Sequence, residues 1–162
     1  MGFAPSTMQL TSTAFAPLTR IPRQYTGEGE NVSPPLAWRD APAGTKAFAL
    51  VCHDPDAPLV TSTAYGFTHW VLYNIPAAAA GLPESVAPTD LPPGTREGLN
   101  DWERTGYGGP CPPIGRHRYF HKLYALDTVL PDLGGPTKAT LENAMKDHVI
   151  AQAEMIGFYQ KR

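Results

Sequence analysis

The sequence contains no continuous stretch of about 20 apolar residues, so it predicts no membrane-spanning helix. Its N-terminal segment has no Lys or Arg before Arg20 and no apolar run, which excludes the pattern of a secretory signal. Cysteine is scarce as well. The chain has only Cys52 and Cys111, and this number favours two buried free thiols over a disulfide scaffold. Together these features predict a reduced, cytoplasmic protein.

Charged residues make up only 17% of the chain, and 13 Lys and Arg stand against 15 Asp and Glu, for a net charge of −2. Nucleic-acid binding needs a cluster of cations on one face, and the sequence has no basic cluster large enough. The low charged fraction also argues against a disordered tail. We therefore expect a folded chain with no nucleic-acid partner.

Proline and glycine are abundant, with 18 and 15 residues in a chain of 162. A proline inside a helix removes a hydrogen bond and clashes with the preceding turn, so this content excludes a helical bundle. Short strands joined by rigid loops fit better. The length is that of one domain, and we expect a single domain over residues 1–162.

Hydrophobic patterning predicts four strands, at residues 8–16, 45–53, 67–74 and 117–126. The second is almost entirely apolar, as expected of a central strand that is buried on both faces. Residues 27–35 and 81–115 are predicted to be loops. The second loop is long and rich in Pro and Gly, and so long a segment without periodicity in a folded domain is often functional.

The C-terminal part predicts a helix over about residues 137–156. Thr137 or Thr140 can cap its first N–H groups, and Gly157 can end it. One face of this helix would be mostly apolar and would pack on the sheet; it would consist of Leu141, Met145, His148, Gln152 and Ile156.

Two segments place acidic or titratable side chains where a strand meets a loop. Asp54-Pro55-Asp56-Ala57-Pro58 follows the buried strand, and its prolines would hold the Asp54 carboxylate in one direction before any ligand arrives. For Asp56 we favour a structural role in the turn. His69 lies in the next strand, where strict alternation would place it on one face with Phe67, Val71 and Tyr73.

A third segment combines a glycine-rich loop, residues 106–113, with the strand that follows it. Alternation predicts His117 and Tyr119 on one face of this strand and Arg118 on the other, where it would serve as a structural ion-pair partner. Imidazole and phenol groups can donate hydrogen bonds. With free amides from the glycine loop they would form a concave site for an anion.

In order along the chain, GENVSPPLAW (29–38), DPDAP, the His-Trp pair, YGGPCPP, GRHRY and AEMIGFYQ (153–160) resemble the phosphatidylethanolamine-binding protein family, in its bacterial branch. The resemblance covers residues 8 to 160. It implies an all-β fold of Greek-key, sandwich-like type, with a central antiparallel sheet, a second smaller sheet and a C-terminal α-helix.

The resemblance also implies a small-anion site for phosphate or the head group of phosphorylethanolamine, and it implies no cofactor. The residues that match this site are Asp54, His69, His117 and Tyr119, with backbone help from Gly108, Gly109 and Pro110. Eukaryotic relatives are associated with inhibition of kinases or proteases, so a protein partner that docks at the pocket is an open alternative. A homodimer is also compatible with the resemblance.

This chain departs from the family pattern at two places. The loop from Leu59 to Thr68 is longer than in bacterial relatives, and Thr68 stands where an aromatic residue or a second His is usual. Arg116 could add a cation at the mouth of the site. We expect anion affinity to weaken above about pH 6.5, the ordinary pKa of histidine.

A metal-dependent enzyme is the main alternative, because two His and one Asp are the side chains of a facial-triad iron site. Against it, the histidines, Tyr119 and the glycine loop supply hydrogen-bond donors, which suit anions better than cations. A hydrolase is disfavoured because the chain has no G-x-S-x-G motif. The D-x-D spacing of Asp54 and Asp56 is not accompanied by nucleotide-binding features.

Overall fold

The computed structural model describes residues 7–57, 66–112 and 115–160 and arranges them around two β-sheets. The strands are β1 (Gln9–Thr11), β2 (Thr19–Arg20), β3 (Leu36–Arg39), β4 (Ala47–Asp54), β5 (Phe67–Pro76), β6 (Gly81–Leu82), β7 (Arg96–Glu97), β8 (Arg116–Leu126) and β9 (Val149–Gln160). The smaller sheet has the order β1-β3-β6, and the larger has the order β2-β9-β8-β4-β5-β7. Neighbouring strands are antiparallel except for β2 and β9, which are parallel.

The predicted central strand is β4, and seven of its eight residues are buried because both faces of the large sheet are covered. One face packs against the small sheet through a cluster that includes Trp38, Phe48 and Trp70. The other face packs against a single helix, α1 (Lys138–Met145), which contributes Leu141 and Met145. The expectation of a large sheet, a smaller sheet and one helix is confirmed.

The predicted extent of the helix is wrong. Thr137 does cap α1, since its side chain accepts a hydrogen bond from the Thr140 amide, but the helix ends at Met145. Asp147 then adopts a left-handed conformation with φ of 72°. The chain continues as β9, whose alternating buried residues pair along the whole of β8. Pairing with β8 therefore overrides the helical spacing of the apolar residues.

The remaining local predictions are mostly confirmed. Strands occupy all four predicted segments, although the first is limited to residues 9–11. Both cysteines are free, but only Cys52 is buried and Cys111 is exposed. Most of the loop from Leu59 to Thr68 lies outside the described residues. Within the described ranges, no helix is long and apolar enough to cross a membrane.

Candidate functional site

The candidate site lies where the ends of three adjacent strands of the large sheet, β8, β4 and β5, come together. Asp54 is the last residue of β4, and the antiparallel neighbours β5 and β8 both begin beside it. This topology brings Asp54, His69, His117 and Tyr119 together although they are up to 65 positions apart in the sequence. All four side chains are buried, with exposed fractions of 8% or less.

The Asp54 carboxylate orients the His117 imidazole. His117 Nδ1 lies 2.5 Å from one carboxylate oxygen, and the other oxygen accepts a hydrogen bond of 2.7 Å from the Asp56 amide. Burial raises the pKa of Asp54, while the hydrogen bonds from His117 and Asp56 oppose that shift. The contact fixes both the ring orientation and the nitrogen that carries the hydrogen toward Asp54.

Asp56 and Arg118 form the structural ion pair expected from the sequence. The Arg118 side chain donates two hydrogen bonds, of 2.9 and 2.8 Å, to the two oxygens of the Asp56 carboxylate. The hydrogen bond from Arg118 lowers the pKa of Asp56 to about 2. The pair ties the turn after β4 to β8 from outside the site, so the position of Asp54 is braced on both sides.

His69 reaches the site through an irregularity in strand pairing. Cys52 pairs with Trp70 but His53 pairs with Thr68, so His69 is an extra residue in β5. Such a bulge can re-aim a side chain.

The bulge places His69 and Val71 on opposite faces of the sheet. Val71 packs in the cluster beneath α1, whereas the His69 ring lies on the other face, 5.3 Å from the Tyr119 ring. The strict alternation predicted for His69 is therefore wrong.

The His69 ring is held in its neutral form. Nδ1 lies 2.7 Å from the Gly108 carbonyl oxygen, so Nδ1 carries the hydrogen and donates it. Burial lowers the pKa of His69 to about 4. Nε2 consequently presents a lone pair, and no group in the described part of the chain pairs with it. His69 can accept a hydrogen bond from a ligand across the neutral pH range.

The Tyr119 hydroxyl is the unexplained polar group of the site. Tyr119 is 0% exposed, and its buried hydroxyl lies near the Asp54 carboxylate but forms no well-aligned hydrogen bond with a described residue. Burial raises the pKa of Tyr119, and the nearby Asp54 carboxylate raises it further, so the group remains a protonated donor. An unpaired buried hydroxyl destabilises a fold, and each such group in a native structure calls for a partner such as a ligand or water.

The predicted cluster of free glycine amides is wrong. The Gly108 amide donates to the His69 carbonyl at 3.1 Å, and the Gly109 amide donates to the Asn31 side chain at 2.7 Å. Pro110 has no N–H group, and its carbonyl accepts a hydrogen bond from Gly27. These backbone groups support the loop and are not available to a ligand.

Close packing explains why glycine occupies positions 108 and 109. A Cβ atom at Gly108 would lie 2.1 Å from the Trp102 ring, and one at Gly109 would lie 2.2 Å from the Tyr25 carbonyl oxygen. Real Cβ atoms do not approach other atoms so closely. The glycines admit the protein's own backbone and rings rather than a ligand.

The chain matches the phosphatidylethanolamine-binding protein family over residues 11–160. It belongs to this family. A UPF0098 protein of Methanothermobacter thermautotrophicus is 48% identical over 155 residues, which cover 95% of this chain and 99% of the relative. A UPF0098 protein of Aquifex aeolicus is 42% identical over 159 residues, covering 95% and 89% of the two chains.

Two solved structures of phosphatidylethanolamine-binding protein relatives share the fold over nearly the whole chain. The homolog CT736 from Chlamydia trachomatis superposes with a TM-score of 0.88 at 39% identity and covers 98% of this chain and 100% of its own. YbcL of Escherichia coli, described as a new member of the mammalian family, gives 0.87 at 34% identity, with coverage of 96% and 99%.

Trp102 and Asn31 lie beside the candidate site, and the sequence analysis did not identify either of them. The Trp102 ring packs at 4.6 Å from Phe67 and 5.3 Å from His69, measured between ring centroids. Asn31, in a left-handed conformation with φ of 61°, places its side-chain oxygen at the Gly109 amide. The available signals were a tryptophan in a Pro- and Gly-rich loop and an Asn inside a family motif.

Thr68 and Arg116, which the sequence analysis also singled out, make their contacts with residues outside the four-residue site. Thr68 is buried, and its amide donates to the Asp101 carboxylate at 2.7 Å. Arg116 is exposed and its guanidinium stacks on the Phe158 ring, 4.7 Å from the ring centroid. Because alternation in β8 points Arg116 away from His117, the expected cation at the mouth of the site is not supported.

The metal-enzyme alternative gains no support from the site. Over residues 7–57, 66–112 and 115–160, no group of three or more His, Cys, Asp and Glu side chains is arranged to hold a metal ion. Nδ1 of His117 is directed at Asp54, and Nδ1 of His69 is directed at a carbonyl.

Proposed function

We propose that this protein binds a small phosphate-bearing anion, such as inorganic phosphate or the phosphorylethanolamine head group, without turning it over. The binding side chains would be Asp54, His69, His117 and Tyr119, and residues 108–110 would act as their scaffold. The observation that carries the proposal is the buried Tyr119 hydroxyl, a donor that lies near Asp54 but forms no well-aligned hydrogen bond with a described residue.

The site offers both a donor and an acceptor. Tyr119 can donate to a phosphate oxygen, while neutral His69 must receive a hydrogen at Nε2. A singly ionised phosphate has an oxygen for the first group and an O–H for the second. The dianion of a phosphate ester lacks the O–H, and a dianion of either ligand would be repelled more strongly by Asp54. The proposed ligand is therefore the phosphate monoanion.

Binding without turnover agrees with the chemistry of the nearby groups. Burial raises the pKa of both Tyr119 and Cys52, so neither group is activated as a nucleophile. Asp54 is occupied by its contacts with His117 and Asp56. We propose no reaction at this site.

The expected affinity for free phosphate is low. A charge-assisted hydrogen bond contributes about 1.5–3 kcal/mol, and the two assigned to Tyr119 and His69 must offset an association cost of about 4–15 kcal/mol. A dissociation constant of about millimolar or weaker follows for the phosphate group alone. Tighter binding would need further contacts from the group attached to the phosphate.

Replacing Tyr119 with phenylalanine should weaken phosphate binding without destabilising the fold. The change removes a ligand donor, so the dissociation constant should rise about tenfold or more. It also removes a buried hydroxyl that has no protein partner, so the free energy of unfolding should stay level or rise slightly. Calorimetric titration with phosphorylethanolamine and chemical denaturation measure the two quantities.

A matched control is Tyr124→Phe on the same strand. Tyr124 is buried in the cluster under the helix, away from the site, so its variant should keep native affinity. Equal affinity of the native protein and Tyr119→Phe would contradict the proposal. Loss of stability in Tyr119→Phe would show that the hydroxyl has a structural partner instead.

Regulation of a kinase or protease partner through the same site stays a prediction of the resemblance. None of the described contacts favours a particular partner. A pull-down that compares the native protein with His117→Ala would link a partner to the site if the partner is lost.

A further inference from the structure

A second cavity lies beside the glycine loop. It has a volume of about 300 Å³, at the small end of the range for ligand sites. Its lining contains none of the four proposed site side chains. The side chains that give it chemical character are Asn31, Trp102, Arg104, Thr105 and Cys111.

Of the residues described in the lining of this cavity, the one that is charged is Arg104, a cation. Arg104 contributes a guanidinium that forms no ion pair with any carboxylate of the described residues. Asn31, Thr105 and the Trp102 indole add groups that can donate hydrogen bonds, and the lining includes no Asp or Glu among the described residues. A guanidinium surrounded by neutral donors complements a carboxylate or a phosphate.

The loop that carries these groups is fixed before any ligand arrives. The buried Asn100 side chain accepts hydrogen bonds from the Trp102 and Arg104 amides, at 2.9 and 3.2 Å, and donates to the Gly106 carbonyl at 3.1 Å. The Asn100 amide also donates to the Arg104 carbonyl. A site that is already ordered loses less entropy on binding.

The cavity and the proposed phosphate site share one wall. Trp102 and Gly108 line the cavity, and both also contact the His69 ring. Since the other site residues do not line it, occupation of the two sites can be measured separately. The cavity is thus an additional site rather than an extension of the first.

We propose that this cavity binds a second small anion, a carboxylate or a phosphate, with Arg104 as its principal ligand. Asn31 and Thr105 supply neutral donors, and the half-exposed Trp102 ring supplies an apolar surface for the rest of the ligand. This site is independent of the proposed function of the first site.

Alkylation of Cys111 provides a direct test. Cys111 is exposed and lines the cavity, whereas Cys52 is buried and burial raises its pKa, so iodoacetamide should label Cys111 selectively. The labelling rate is followed by intact mass at constant ionic strength, in one series with inorganic phosphate and in another with benzoate. The two series show which anionic group the cavity prefers.

We expect at least one anion to slow labelling in a saturable way. Arg104→Gln should raise the half-protecting concentration about tenfold or more, because it removes the charged donor. The control variant Arg39→Gln changes an exposed arginine on β3 and should protect like the native protein. Tyr119→Phe should also retain protection, since Tyr119 does not line this cavity.

Three results would overturn the inference. One is the absence of saturable protection by either anion, and another is undiminished protection in Arg104→Gln. The third is loss of protection in Tyr119→Phe, which would assign the effect to the first site.

Discussion

The free energy of unfolding should fall by several kcal/mol as the pH is lowered from about 6.5 to about 4, because burial keeps three histidines in the neutral form. Burial lowers the pKa of His53, His69 and His121 from the ordinary 6.5 to about 4. In this window the unfolded chain binds more protons than the folded protein. The stability is therefore complete above about pH 6.5 and is lost progressively toward pH 4.

The size of this effect follows from these shifts. One pKa unit corresponds to about 1.4 kcal/mol, so the buried His69 and His121 account for roughly 3 kcal/mol each, and the less buried His53 accounts for less. Burial raises the pKa of Asp54 and of Glu97, which acts in the opposite direction over part of the window. The net loss should still amount to several kcal/mol, a large fraction of the stability of a typical domain.

Urea denaturation at a series of pH values measures this dependence. His121→Leu should remove roughly a third to a half of it, because His121 is buried, its Nδ1 has no partner among the described residues, and leucine carries no proton. A free energy of unfolding that does not change with pH would show that the imidazoles are solvated.

Phosphate affinity should decrease by roughly 20- to 30-fold between pH 5.5 and pH 7.5. A phosphate ester loses its second proton near pH 6, so about that proportion of the monoanion disappears over this interval. His69, with a pKa of about 4, stays neutral and needs the O–H that only the monoanion has.

The direction of this pH effect agrees with the expectation from sequence, but its cause differs. The sequence suggested that a histidine loses its proton, whereas in the proposed site His69 is already neutral and the ligand is the group that loses a proton. Calorimetric titration with phosphorylethanolamine across the interval measures the effect. Sulfate, which has no O–H at these pH values, should bind weakly and without the same dependence. Constant phosphate affinity would rule out a neutral acceptor at His69.

Much of the site was predictable because strand alternation and family motifs are local signals. In β8 a period of two correctly separates His117 and Tyr119 from Arg118, and the turn after β4 correctly places Asp54 at a strand end. These predictions required only the periodicity of a single strand and the position of a turn.

The failures depend on contacts between distant segments. The bulge at His69 is a property of the pairing between β4 and β5, and no pattern within β5 reveals it. Residues 149–160 have apolar positions compatible with a helix, but they form a strand because they hydrogen-bond along the whole length of β8. Gly157 lies there because a Cβ atom would meet Ile21 at 2.6 Å. It does not end a helix.

The glycine loop shows the same limit. Glycine allows a close approach of backbone to a ligand or to another part of the chain, and sequence does not distinguish the two. Only the partners of the Gly108 and Gly109 amides, His69 and Asn31, assign the loop a supporting role.

A crystal structure of the protein grown with phosphorylethanolamine at about pH 5.5 tests the central claim most directly. We predict that the phosphate group lies between Tyr119 and His69, with one oxygen within about 3 Å of the Tyr119 hydroxyl and another within about 3 Å of His69 Nε2. A phosphate group bound elsewhere, with the Tyr119 hydroxyl paired to the protein, would contradict the account.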